Sequence, residues 1–96
     1  MKVLFSRSAQ ADITAIFEYI ARDNPIAARH VVAAIERSTN LLSQYPYSGR
    51  MGAVENTREL VIPRLPYVVV YQIAAEAVEV IAVFHAAQNR PRGKGD

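Results

Sequence analysis

The sequence predicts an α+β domain in the order strand, helix, helix, strand, strand, strand, with a helical hairpin packed on one face of an antiparallel sheet. Three observations carry this. Apolar residues recur at helical spacing in two blocks between residues 9 and 44, and Asp23-Asn24-Pro25 divides those blocks. From residue 57 onward the pattern changes to short β-type runs at 57–62, 67–73 and 78–85. Two antiparallel helices in sequence have one shared apolar seam to bury, and a sheet face is the surface that can cover it. Residues 1–96 read as a single domain with no repeat or internal linker, and residues 90–96 as a flexible basic tail.

Taken in order, residues 2–6 read as a short first strand. Ser8 is the expected N-cap of the first helix, and Asp12 sits early enough to favour the helix dipole. Ala9, Ile13, Ile16, Phe17 and Ile20 share one helical face, with Asp12, Glu18 and Arg22 turned away. Asp23-Asn24-Pro25 ends that helix and begins the next, since Asn caps well and Pro suits the first helical turn. The second helix is predicted from Pro25 to about Gln44, with Ala28, Val31, Val32, Ile35, Thr39 and Leu42 as its buried stripe. Residues 45–52, YPYSGRMG, hold a proline and two glycines and read as a loop. Of the three strands that follow, Tyr67 to Ile73 is apolar on both faces and is expected at the centre of the sheet. Residues 74–77 form the hairpin turn to the last strand.

Composition narrows the function classes. The chain has 96 residues, 51% hydrophobic and 21% charged, which places it among ordinary globular domains. At that length only about two-thirds of the unfolded surface can be buried, so stability is expected to be modest and a partner would help. The absence of cysteine excludes disulfides and thiolate metal sites, and two histidines argue against a histidine zinc site, so no cofactor or metal is expected. An apolar run of three residues at the start is far short of the roughly 7–15 of a signal peptide. No stretch approaches the ~20 residues needed to span a bilayer, so a cytoplasmic protein without a membrane role is expected. The net charge of +2 does not by itself require nucleic acid, but Lys2 and Lys94 are the only lysines. Arginine in their place favours bidentate contacts with carboxylate or phosphate.

With these elements placed, the chain resembles the RelE/ParE superfamily of toxins from bacterial type II toxin–antitoxin modules, on its ParE-like branch. The resemblance runs through "ADITAIFEYIARDNPIAA" in the helices, "YPYSGRMG" in the loop, "TRELVIPRLPYVVVY" in the central strands and "VEVIAVFHAAQNRP" in the last strand and tail. It implies a compact toxin neutralised by a cognate antitoxin, whose partly disordered segment folds around the toxin. Two activities occur in the superfamily: inhibition of DNA gyrase by ParE-like members, and ribosome-dependent messenger RNA cleavage by RelE-like members. RelE-like members often carry an arginine where this chain has Val68, and tend to place Lys, Arg or Tyr after the last strand, where this chain reads His85-Ala86-Ala87-Gln88-Asn89-Arg90. The resemblance therefore implies a gyrase inhibitor without its own catalytic set. The alternatives are a ribosome-dependent endoribonuclease and a decayed toxin that only binds antitoxin.

Each candidate residue also has a simpler structural role open to it. Arg50, Arg58, Tyr67, Arg90 and Arg92 are the target-binding candidates, and His85, Arg58 and Arg50 are the catalytic set if the chain is a nuclease. Strand parity places Arg58 with Leu60 and Ile62, where it either meets a partner or pairs with Glu55 or Glu79. Tyr67 and Tyr71 suit core rings with satisfied hydroxyls, and Tyr67, nearer the arginine-bearing turn, is the better functional candidate. His85 is expected to end a row with Glu79, Ile81 and Val83, either as a base or bonded to backbone. Arg50 lies between glycines that can turn the chain or bring backbone close to a ligand. Arg90, Arg92 and Lys94 would add salt-dependent attraction to nucleic acid.

Overall fold

The computed structural model describes residues 1–88. The first strand, β1 (Lys2–Phe5), leads straight into helix α1 (Arg7–Ala21). The N-cap is Ser6, two residues earlier than expected: it has extended backbone, and its Oγ accepts from the Ala9 amide at 3.0 Å. Ser6 captures the cap because the chain is still extended there, whereas Ser8 is already helical. Helix α2 (Pro25–Asn40) begins as expected, with Asn24 Oδ1 accepting from the Ala27 amide at 3.0 Å and Pro25 in the first turn. It ends at Asn40 rather than near Gln44. Residues Leu41–Ser43 tighten into a 3-10 turn that buries Leu42, a common way for a helix end to satisfy its last carbonyls.

Four further strands follow: β2 (Arg50–Met51), β3 (Arg58–Val61), β4 (Tyr67–Ile73) and β5 (Ala77–His85). The sheet order is β1-β5-β4-β3-β2, so β4 lies at the centre as its two apolar faces require. Consecutive strands pair antiparallel. The edge pair departs from that pattern: β1 lies parallel to β5, which makes the sheet mixed. The helical hairpin carries the chain away from β1, and only the last strand returns beside it. Strand β2, inside the segment predicted as loop, is a second addition to the expected topology. It has two residues and a loop composition, so neither period nor propensity marks it.

One core joins Ala9, Ile13, Ile16 and Ile20 of α1 and Val31, Ala34 and Ile35 of α2 to Tyr67, Val69, Tyr71, Val78, Val80 and Val83 of the sheet. A separate small cluster, Val68, Val70 and Phe84 with Ala82, lies on the opposite face and includes no helical residue. The helices therefore pack on one face, as the sequence predicts. Leu4 and Val61, whose strand partners Glu79 and Val68 put them on that opposite face, are about half exposed.

A β-bulge in β5 changes which side chains share a face. Val70 is opposite Ala82, but Tyr71 is opposite Val80, so Ile81 is the extra residue. The expected row Glu79, Ile81, Val83, His85 is thus broken. Val78 and Val80 share the helix face with Val83 and His85, while Glu79 turns to the other side. Beyond Phe5, β5 outruns β1 and its edge groups need other partners. Ser6 Oγ donates to the Ile81 carbonyl at 3.0 Å, and the Val83 amide donates to Asp12 Oδ2 at 2.9 Å. Asp12, expected to face solvent, is instead a stitch between α1 and the sheet.

Candidate functional site

The candidate residues fall into two groups at different places on the sheet. The first surrounds the loop between the 3-10 turn and β2. The Tyr71 hydroxyl donates to the Pro46 carbonyl at 2.7 Å and accepts from the Gly49 amide at 2.9 Å. Arg58 lies opposite Tyr71 on β3, and its Nη1 donates to the carbonyls of Gly49 (2.7 Å) and Tyr47 (3.5 Å). Its guanidinium carbon sits 4.9 Å from the centroid of the Tyr47 ring, within cation–π range. Neither Glu55 nor Glu79 pairs with Arg58; Glu79 accepts from Gln72 instead.

Arg50 is on the other face of the sheet. Its Nη2 donates to Glu59 Oε1 at 3.2 Å, and the Ala53 amide donates to Glu59 Oε2 at 3.3 Å. Glu59 is buried, so this pair offsets the desolvation of its carboxylate. Gly49 is required by close approach, not by a left-handed turn. A Cβ there would lie 2.7 Å from the Tyr71 hydroxyl and 2.9 Å from the Glu59 carbonyl, and no described glycine has positive φ. The left-handed residues are Asn56 and Arg64, in the turns before β3 and before β4.

The second group sits where β4 begins and β5 ends. Tyr67 and His85 are cross-strand partners whose rings meet edge to face at 5.3 Å. His85 Nδ1 accepts from the Ala87 amide at 3.0 Å, and its own amide donates to Gln88 Oε1 at 3.2 Å. A cavity of about 620 Å³ opens beside them, lined also by Asp12, Tyr19, Arg22 and Gln88. Asp12, Tyr19 and Arg22 were not among the sequence candidates for a site, though their spacing of seven and three places them on one stripe running from α1 to its C-cap with Ile16. Tyr71 has a satisfied hydroxyl, as a core tyrosine should, whereas that of Tyr67 has no hydrogen-bond partner among the described residues.

The nuclease candidates are not brought together. Arg58 is opposite Tyr71 and His85 opposite Tyr67, four residues apart along β4, which is roughly 13 Å of strand. Arg50 projects from the opposite face and is bound to Glu59. Arg90 and Arg92 lie outside the described residues. Among the described residues no helix is long and apolar enough to cross a membrane, and no group of three or more His, Asp or Glu side chains is placed to hold a metal.

Residues 3–90 match the family model for the ParE toxin of the parDE type II toxin–antitoxin system. The chain belongs to the ParE toxin family. It is 45% identical over 74 residues to Y4kP of Sinorhizobium fredii, a match covering 77% of this chain and 76% of that protein. It is 36% identical over 87 residues to toxin RelE2 of Caulobacter vibrioides, covering 91% and 97%. Among solved structures, a chain of the chromosomal ParDE toxin–antitoxin system from P. aeruginosa superposes with a TM-score of 0.81 over 88% of this chain and 95% of its own, at 24% identity. That last likeness establishes the shared fold.

In this ParE-family chain, burial raises the pKa of the Tyr67 hydroxyl above its ordinary value, and nearby Tyr19 adds to the effect. The phenol is therefore neutral at physiological pH and can donate a hydrogen bond into the cavity. Because the folded value lies above the unfolded one, the contribution is complete below pH ~10 and is lost as pH rises through the folded value. Tyr67→Phe should consequently flatten the alkaline limb of a stability–pH profile, measured by urea unfolding between pH 8 and 11, without steepening it near neutrality.

Proposed function

We propose that this ParE-family toxin acts by binding DNA gyrase, carries no catalytic residue set of its own, and is held silent by a cognate antitoxin encoded beside it. Family membership over residues 3–90 supports the toxin role and the antitoxin partner. The observation that carries the choice of mechanism is the dispersal of the would-be nuclease set. Acid–base cleavage of RNA needs its base, its proton donor and its phosphate-binding cations within hydrogen-bond reach of one phosphodiester. Here Arg50 and His85 are on opposite faces, and Arg58 is committed to loop carbonyls. A protein that inhibits by docking needs only a surface.

Ribosome-dependent cleavage is the second reading, and the Tyr67–His85 pair beside Arg22 in one cavity is what favours it. His85→Ala separates the two. For a docking toxin it should leave growth arrest on induction, and inhibition of purified gyrase in a supercoiling assay, within about 3-fold of wild type. A nuclease losing its general base would lose about 10²–10⁴-fold in cleavage of translated messages. Cleavage that depends on His85, with supercoiling unaffected by the wild-type protein, would overturn the gyrase reading. A wild-type chain that binds the neighbouring-frame protein but arrests nothing would identify a decayed toxin.

A further inference from the structure

The loop between the 3-10 turn and β2 is held from beneath and exposes large side chains above. Tyr45, Tyr47 and Met51 are 61%, 69% and 70% exposed. Their backbone is nevertheless fixed by the hydrogen bonds of Tyr71 to Pro46 and Gly49 and of Arg58 to Gly49 and Tyr47. Beside them lies a cavity of about 490 Å³ whose walls include Tyr47, Met51, Arg58, Asn56 and Ile73. Its lining contains one cation and no carboxylate.

We infer that this loop and its cavity form the contact surface for a protein target, and that they receive an acidic residue flanked by apolar side chains on that partner. The inference rests on the target-binding reading above and names the part of the chain that does the binding. Three features favour this occupant. Arg58 uses Nη1 for the loop carbonyls, which leaves its remaining donors for a carboxylate. Tyr47 and Met51 flank it with a ring face and a thioether, side-chain types enriched with arginine at protein interfaces. The pinned loop loses little conformational freedom on docking, so less of the contact energy is spent on ordering. A nucleic acid fits less well. Affinity for a phosphate backbone grows with the number of cations that track it, and here Arg50 lies on the other sheet face against Glu59, leaving Arg58 as the one cation among the described residues that line this cavity.

The test uses the full chain with Tyr47→Ser and Met51→Ser combined. Both side chains are exposed, so the thermal midpoint should stay within a few degrees, which checks the fold. Affinity for purified gyrase, measured by calorimetry, should fall about 30-fold or more, as expected when two interface anchors are removed. Binding to the neighbouring-frame antitoxin should change less than 3-fold. Wild-type protein that fails to bind gyrase would end the target reading, and this inference with it. Wild-type protein that binds gyrase while the double variant binds within 3-fold would overturn the inference alone. So would a variant whose defect lies instead in antitoxin affinity, in affinity for a single-stranded RNA oligonucleotide, or in self-association measured by sedimentation.

Discussion

Tyr71→Phe should lower the thermal midpoint of this protein by roughly 10–30 °C, the largest effect expected from removing a single atom. The hydroxyl ties the buried centre of the sheet to the loop, accepting from Gly49 and donating to Pro46. Tyr71 is fully buried, and phenylalanine keeps the ring and its packing. What the change leaves is a buried Gly49 amide with no acceptor. An orphaned buried backbone group costs about 1–3 kcal/mol, and the lost bond to Pro46 adds about 1 kcal/mol. For a domain near 100 residues each kcal/mol moves the midpoint by about 4–8 °C. Differential scanning calorimetry of the purified chain measures the shift. Hydrogen exchange adds the local signature, because the Gly49 amide should lose protection before the strands do. An unchanged midpoint would mean that the loop is held by Arg58 alone.

Most of the fold was legible because its signals are local and redundant. The Asn24-Pro25 junction, the two helical stripes and the run from Tyr67 to Ile73 each obey a period that survives any tertiary arrangement. The errors fall where a long-range contact decides. Ser6 displaced Ser8 as the cap because β1 must end beside β5, and the Ser6 amide donates to the Val80 carbonyl at 3.0 Å. The bulge at Ile81 is invisible in a row of apolar residues, yet it decides the face on which Glu79, Val83 and His85 lie. Strand β2 exists because Arg50 and Met51 find Glu59 and Arg58 across a sheet edge, not because RM favours a strand.

The candidate site was less legible for the same reason. The sequence offers Arg50, Arg58, Tyr67 and His85 as candidates, but membership of one site is a property of register and face. Pairing sends Arg50 to one side and Arg58 and His85 to the other, and then separates the latter two along β4. Glu59 could not be foreseen as the buried partner of Arg50, since a charged residue alternating with apolar ones reads as solvent-facing. One side chain also combines surface and scaffold contacts. Arg58 belongs to the exposed surface through its stacking on Tyr47 and to the scaffold through its bond to Gly49.

Asp12→Ala should cost about 2–3 kcal/mol, whereas Asp12→Asn should cost about half that or less. The carboxylate accepts from the Val83 amide at 2.9 Å, at the place where β5 has no neighbouring strand to take that group. Val83 is buried, so without an acceptor its amide is stranded in the core. Asparagine keeps an acceptor oxygen at the same reach and loses only the charge assistance. The comparison therefore distinguishes a stitch from a surface charge: a residue acting through the helix dipole would respond equally to both changes and lose well under 1 kcal/mol. Urea denaturation of the three proteins measures the difference directly. The consequence reaches the second candidate site, because Asp12 also lines the cavity with Tyr67 and His85. Releasing α1 from the bulge should widen that cavity, and fluorescence of the tyrosines at its mouth should become more accessible to a soluble quencher in Asp12→Ala but not in Asp12→Asn.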